Sequence, residues 1–408
     1  MATRDVELDR RDFLIGGASA LGATLLGAGA PAEADSAAAE PRVKRYAPLG
    51  KTGMKISDIS FGSSRTADAK TVRYAYERGV NYFDSAEGYK GGASEQAIGE
   101  ALHDVRDRIF LTSKTKAEVG EKRGDMMKAL EGSLRRLRTD YVDVYFNHAV
   151  NDVERMRNAE WAEFTEQAKK QGKIRFRGMS GHGGNLIECL NYSLANQLVD
   201  VVLVAYNFGQ DPAFYQKMLQ SFDFIALQPG LPAVLERAHA QGVGVVAMKT
   251  LMGARANDMR PYEKGGATFS QAAFRWTLSN PDVDALVISM KSPELIDEYL
   301  GASGAPRTSR RDLGLLGTYA GLFGAGYCQH GCAVCEASCP AGVPISEVLR
   351  TRMYDVDYAD PELARHDYAQ LGAGAGPCLR CTEPGCAKAC PNGIAIPERT
   401  RDAARRLA

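Results

Sequence analysis

With 408 residues the chain has room for one large domain of about 250 residues and one smaller domain. Its 50 basic residues are matched by 50 acidic ones, so nothing in the charge points to nucleic acid or to a charged membrane surface. Of nine cysteines, eight fall between Cys328 and Cys390, which places a metal or redox module at the C-terminus.

Taken in chain order, Asp9-Arg-Arg-Asp-Phe-Leu14 precedes a run without charge from Ile15 to Ala32, diluted by five glycines and closed by small residues. Residues 1–35 resemble a twin-arginine export signal and linker, with cleavage after Ala32 or Ala34. Asp5, Glu7, Asp9 and Asp12 depart from the positive character usual before such a run. Export implies a periplasmic location and the twin-arginine translocase as partner. Ala32 to Glu40 reads as a flexible linker.

Strand-like runs recur at 56–62, 81–84, 108–113, 141–146, 174–179, 200–205, 243–248 and 284–288. Helical periodicity lies between most of them, as in Ala69–Arg78, Glu95–His103, Asp125–Leu137 and Gln271–Leu278. Strands alternating with helices in this number predict an α/β fold, a closed parallel (β/α)8 TIM barrel. Two connections, Phe208 to Pro229 and Leu251 to Ala267, are long and rich in turn residues. They are open to reading as flaps over a pocket or as ordinary surface loops.

Three of the strand-like runs deliver polar residues where they end. Tyr82-Phe-Asp84 leads to Tyr89, Phe110-Leu-Thr-Ser-Lys114 ends on a lysine, and Tyr145-Phe-Asn-His148 on a histidine. Asp84, Tyr89, Lys114 and His148 are the parts needed for proton transfer to a carbonyl. Tyrosine alone is too weak an acid, with a pKa of about 10. A lysine ammonium about 4 Å away contributes roughly 4 kcal/mol, enough to bring Tyr89 towards neutral working pH.

The segments Tyr46-Ala-Pro-Leu-Gly-Lys-Thr-Gly-Met-Lys-Ile-Ser57, Asn81-Tyr-Phe-Asp-Ser-Ala-Glu-Gly-Tyr89 and Gly172-Lys-Ile-Arg-Phe-Arg-Gly-Met-Ser180 resemble the aldo/keto reductases. The resemblance runs in order from about Tyr46 to Tyr299 and implies a TIM barrel using NADP(H) or NAD(H). It gives Asp84, Tyr89, Lys114 and His148 the roles of a catalytic tetrad. It also implies that Ser180 and Tyr206 contact the nicotinamide, the latter by stacking. Lys291 and Ser292 would meet a 2′-phosphate, and Glu298 the adenine. Gly181, Leu203 and Leu295 depart from the family, standing where an Asn, a Gln and an Arg are usual. NADP is favoured over NAD on Lys291 and Ser292. His182 is expected to face the pocket, and Cys189 to be structural.

Beyond a Gly-rich stretch come Cys328-x3-Cys332-x2-Cys335-x3-Cys339-Pro340 and Cys378-x2-Cys381-x4-Cys386-x3-Cys390-Pro391. These runs resemble a ferredoxin-like domain with two [4Fe–4S] clusters. By that resemblance Cys328, Cys332, Cys335 and Cys390 hold one cluster, and Cys378, Cys381, Cys386 and Cys339 the other. Structural zinc and disulfides are the alternatives for such runs. Ile345–Arg352 and Pro361–Gln370 look helical, so the small domain is expected to be mainly helical. The expected organisation is an export segment over 1–35, a barrel over 42–305, a Gly-rich linker over 306–327 and a ferredoxin-like domain over 328–408.

Together these readings describe an exported oxidoreductase that interconverts a small carbonyl and an alcohol with NAD(P)(H). Its clusters would be structural or would serve a flavin or quinone partner. The alternative is an iron–sulfur electron-transfer protein whose barrel is a non-catalytic scaffold.

Overall fold

Side chains of β-strands alternate between two faces, and here both faces are buried, as a barrel wrapped in helices requires. The computed structural model describes residues 40–211, 213, 228–252, 258–266, 268–305, 307–323, 328, 334–356, 361–391 and 393–408. The export segment expected over 1–35 and Cys332 lie outside the described residues, as do parts of both long connections. Among the described residues no helix is long and apolar enough to cross a membrane.

The chain opens with an antiparallel hairpin, β1 (Tyr46–Pro48) and β2 (Lys55–Ser57). Leu49, Met54 and Ile56 of this hairpin join the inner cluster of the barrel with Val144, Val201 and Val246. The turn presses so closely on the start of a barrel strand that a Cβ on Gly50 would lie 2.4 Å from Gly244 N. That approach, at φ +48°, is open only to glycine.

The barrel strands are β3 (Ile59–Gly62), β4 (Tyr82–Asp84), β5 (Phe110–Thr115), β6 (Val142–Asn147), β7 (Ile174–Gly181), β8 (Val201–Ala205), β9 (Gly244–Met248) and β10 (Ala285–Ser289). They close in the order β10-β3-β4-β5-β6-β7-β8-β9, every pair parallel. All eight expected strands are present, displaced by a few residues at most. Parallel pairing brings every C-terminal strand end to one face, where such barrels carry their chemistry. Helices such as Ala69–Glu77 and Arg123–Leu137 form the outer layer. Asp68 caps the first of these by accepting from Lys70 N and Thr71 N, an arrangement worth about 1 kcal/mol.

The segment expected as a Gly-rich linker contains a helix, Arg310–Phe323. Its Leu315, Leu316, Tyr319 and Ala320 belong to the main core, at spacings of three and four residues that put them on one face. The glycines obscured that stripe. Further helices follow at Ile345–Val356, Pro361–Ala369, Cys386–Ala389 and Ile396–Leu407 around a second apolar core. Ala205, at the end of β8, belongs to this second core.

The expectation of two [4Fe–4S] clusters needs correction. Cys339, Cys378, Cys381 and Cys386 line one pocket with Val343, Ile345 and Ile396. Cys328 and Cys335 are buried in the second core, and Cys390 Sγ accepts from Ile394 N at 3.4 Å. Among the described residues no group of three or more Cys, His, Asp or Glu is arranged to hold a metal ion. The thiols instead serve as small apolar lining, a use that produces the same clustering in sequence. The neighbouring thiols and, above all, burial push the Cys386 thiol pKa up. The ligand assignments to Cys328, Cys332, Cys335, Cys339, Cys378, Cys381, Cys386 and Cys390 are therefore withdrawn. The iron–sulfur electron-transfer reading falls with them.

Candidate active site

Strand phase places the polar residues. On β5, Phe110 packs on the inner cluster, Thr112 Oγ1 donates to Asp84 Oδ1 at 2.8 Å, and Lys114 Nζ donates to Asp84 Oδ2 at 2.6 Å. Leu111 and Ser113 point the other way, into the outer core and onto the Glu95 carboxylate. Asp84 is the last residue of β4, and His148 follows the last residue of β6. Asp84, Lys114 and His148 thus meet at the C-terminal face.

Tyr89 arrives on a loop bound to β5. Ser85 N donates to Thr112 O at 3.0 Å and Glu87 N to Lys114 O at 3.2 Å, extending the parallel ladder beyond β4. Lys114 Nζ also donates to Ser85 O at 2.5 Å, and Thr115 Oγ1 donates to the Glu87 carboxylate. These contacts bring the Tyr89 ring edge-on to His148, centroids 5.6 Å apart at 79°. Lys114 Nζ lies 5.0 Å from the Tyr89 ring centroid.

The electrostatics differ from the simple expectation for Tyr89. Burial is the largest influence and raises its pKa, Lys114 lowers it, and Asp84 raises it again, so the balance lies above the ordinary value. Lys114 does act in the expected sense, but desolvation of a phenolate outweighs it. Burial alone would lower Lys114, yet Asp84 and Tyr89 hold it above its ordinary pKa. Burial drives His148 well below its ordinary value, helped by Lys114, His182, Lys116 and Arg155. At neutral pH the site therefore presents a protonated phenol, an ammonium and a neutral imidazole.

The residues expected to hold the nucleotide are spread around the same face. Ser180 Oγ accepts from Ala149 N at 2.9 Å. A Cβ on Gly181 would lie 2.6 Å from Leu186 Cδ1 and 3.0 Å from Val150 O, so a larger residue there needs Leu186 to change its side-chain position. Ser292 Oγ accepts from Leu295 N and caps the Pro293–Leu300 helix, with Lys291 exposed beside it. The Glu298 carbonyl accepts from Gln271 Nε2 at 2.8 Å. Tyr206, expected to stack on the nicotinamide, follows the end of β8 and is held from behind. Its ring packs 5.1 Å from that of Trp276, and its hydroxyl accepts from Asn280 Nδ2 at 3.0 Å.

Two further groups on this face escaped sequence reading. Gln210 Nε2 and Thr250 Oγ1, beyond β8 and β9, are buried and have no hydrogen-bond partner among the described residues. Such groups cost about 1–3 kcal/mol unless a ligand meets them, so they suit a polar ligand such as a nucleotide. Strained backbone gathers here too, with positive φ at Lys90, Ala149, Lys249 and Met252, each just past a strand end. Glu87 and Thr115 were also missed, although Glu87 lies within the motif that carries Tyr89.

Comparison with known proteins agrees with this geometry. The model of the aldo/keto reductase family matches residues 49–261, more than half of the chain. L-galactose dehydrogenase of Arabidopsis thaliana is 23% identical over 292 residues, covering 62% of this chain and 86% of that protein. The uncharacterized oxidoreductase YqkF of Bacillus subtilis is 23% identical over 65% of this chain and 93% of its own. Among solved structures, an aldo-keto reductase from Klebsiella pneumoniae in complex with NADPH is similar with a TM-score of 0.52 and 22% identity, over 68% of this chain and 96% of that one. At that identity the likeness shows the fold. The chain belongs to the aldo/keto reductase family and is an NAD(P)-dependent oxidoreductase of that type.

Proposed function

We propose that this protein interconverts a small carbonyl and its alcohol, with Tyr89 as the proton donor in the reducing direction. The observation that carries the reading is the grouping of Tyr89, His148 and the buried Lys114–Asp84 pair at one barrel face. The nicotinamide nucleotide, when bound, supplies the hydride for the carbonyl carbon. Tyr89 donates its hydroxyl proton to the carbonyl oxygen. Lys114, held by Asp84, stabilises the phenolate that this leaves. His148, neutral, offers a ring N–H to the same oxygen and fixes the carbonyl's orientation.

Ser180, Tyr206, Lys291, Ser292 and Glu298 are proposed as nucleotide contacts, with Gln210 and Thr250 added. NADP is favoured over NAD on Lys291 and Ser292, and the NADPH complex of the Klebsiella relative supports a nicotinamide nucleotide. Export by the twin-arginine route is a separate proposal that rests on Arg10-Arg11 and the uncharged run after them. Fractionation of cells expressing the full chain tests it. With the clusters withdrawn, no flavin or quinone partner is proposed.

A panel of simple aldehydes with NADPH or NADH, followed by nicotinamide fluorescence, tests the central reading. Turnover that disappears in Tyr89→Phe supports it. Turnover that persists at the same rate in that variant overturns it.

A further inference from the structure

The phase of β5 has a consequence for the substrate. Thr112 and Lys114 reach inward to Asp84, whereas Ser113 reaches outward to Glu95. The ladder with the β6 side continues past the strand, since His148 N donates to Thr115 O at 2.8 Å. Lys116 therefore leaves the chain in the same phase as Lys114, two residues closer to solvent. It is exposed, and among the described residues it has no hydrogen-bond or ion-pair partner.

The acidic groups nearby are engaged elsewhere. Asp84 pairs with Lys114 at 2.6 Å, Glu87 is held by Thr115, and Glu118 lies 3.5 Å from Arg155 Nε. Arg155 itself is spent on Ala117 O, Ala149 O, His148 O and Asn147 Oδ1. Lys114, His182, Lys116 and Arg155 all act on His148 as positive charge. Lys114 is neutralised by Asp84 and Arg155 is spent on carbonyl oxygens, so among the described residues Lys116 is an ammonium on this side of the site left without a partner.

We propose that the substrate carries an anionic oxygen group, a carboxylate or a phosphate, which lies against Lys116 while its carbonyl meets Tyr89 and His148. This deepens the reductase reading and rests on it. Lys116 is a substrate-binding residue, set apart from the nucleotide contacts at the end of β10.

Two matched pairs of aldehydes test the inference with the full-length protein. Succinic semialdehyde is compared with its methyl ester, and glycolaldehyde phosphate with glycolaldehyde. Wild-type protein is expected to prefer the charged member of one pair in kcat/KM. That preference should shrink about threefold to tenfold in Lys116→Gln, persist in Lys116→Arg and weaken as salt rises. The pair that shows it distinguishes carboxylate from phosphate. No preference in either pair, or a preference that Lys116→Gln leaves intact, overturns the inference while the neutral aldehydes still report reductase activity. No turnover of any of the four overturns the reductase reading, and this inference with it.

Discussion

Lys114 Nζ lies 2.6 Å from Asp84 Oδ2, with 1% of the lysine side chain and 5% of the aspartate side chain exposed. A pair so buried is retained at a desolvation cost, and removing one partner leaves the other as an uncompensated charge. Lys114→Met is therefore expected to destabilise the protein by about 3–5 kcal/mol, read from urea unfolding. Adding Asp84→Asn should recover part of that loss, because the stranded carboxylate is then gone. Equal stability of the single and double variants would show that no stranded carboxylate charge contributes to the loss in Lys114→Met. Neither variant should retain carbonyl turnover.

Tyr89→Phe asks a narrower question. The ring keeps its edge contact with His148 and its place beside Lys114, so the fold is expected to survive. Only the hydroxyl is lost. Reduction should slow by about a hundredfold to ten-thousandfold, the range for general acid catalysis, while nucleotide affinity by fluorescence titration stays within about twofold. A loss of nucleotide binding of the same size would place Tyr89 in cofactor recognition instead.

The barrel was legible because its strands are buried on both faces and its helices carry clear periodicity. The grouping of Asp84, Lys114 and His148 was legible because each falls at or beside the end of a strand-like run, and parallel pairing gathers such ends. The support of Tyr206 was not legible, since sequence does not say that Trp276 and Asn280 engage its ring and hydroxyl. Gly181 departs from the family in sequence, and in the structure Leu186 fills the space beside it. The cysteine runs misled for a physical reason. Spacing along the chain shows that thiols gather, as four of them do around one pocket, but not that they are arranged to hold a metal ion. Glycines in Arg310–Phe323 hid a packed helix in the same way.

The pH dependence follows from the shifted groups. Tyr89 lies above its ordinary pKa of 10.0, so it stays protonated, and reduction should not fall until the pH passes 10.0. His148 lies well below its ordinary 6.5, so it stays neutral at and just below that pH. Between these values the reduction rate should be flat, as a profile of kcat against pH would show. A break near pH 7 would mean that Lys114 governs Tyr89 more strongly than burial does. Stability carries its own sign. Below pH 6.5 the unfolded chain takes a proton at His148 that the folded one refuses, so this group's contribution falls as pH drops.

The Thr115–Glu87 contact gives the last prediction, because it joins the loop bearing Tyr89 to the strand bearing Lys114. Burial, the larger influence, raises the Glu87 pKa, while the Thr115 hydroxyl opposes it. Thr115→Val removes the donor and keeps the shape, leaving a half-buried carboxyl without that bond. We expect a stability loss of about 1–3 kcal/mol. The larger effect should be on kcat, falling about tenfold or more as Tyr89 moves out of line, with KM little changed. Thr115→Ser restores the hydroxyl and should restore kcat to within about threefold. If Thr115→Ser is as slow as Thr115→Val, the methyl group rather than the hydrogen bond positions the loop.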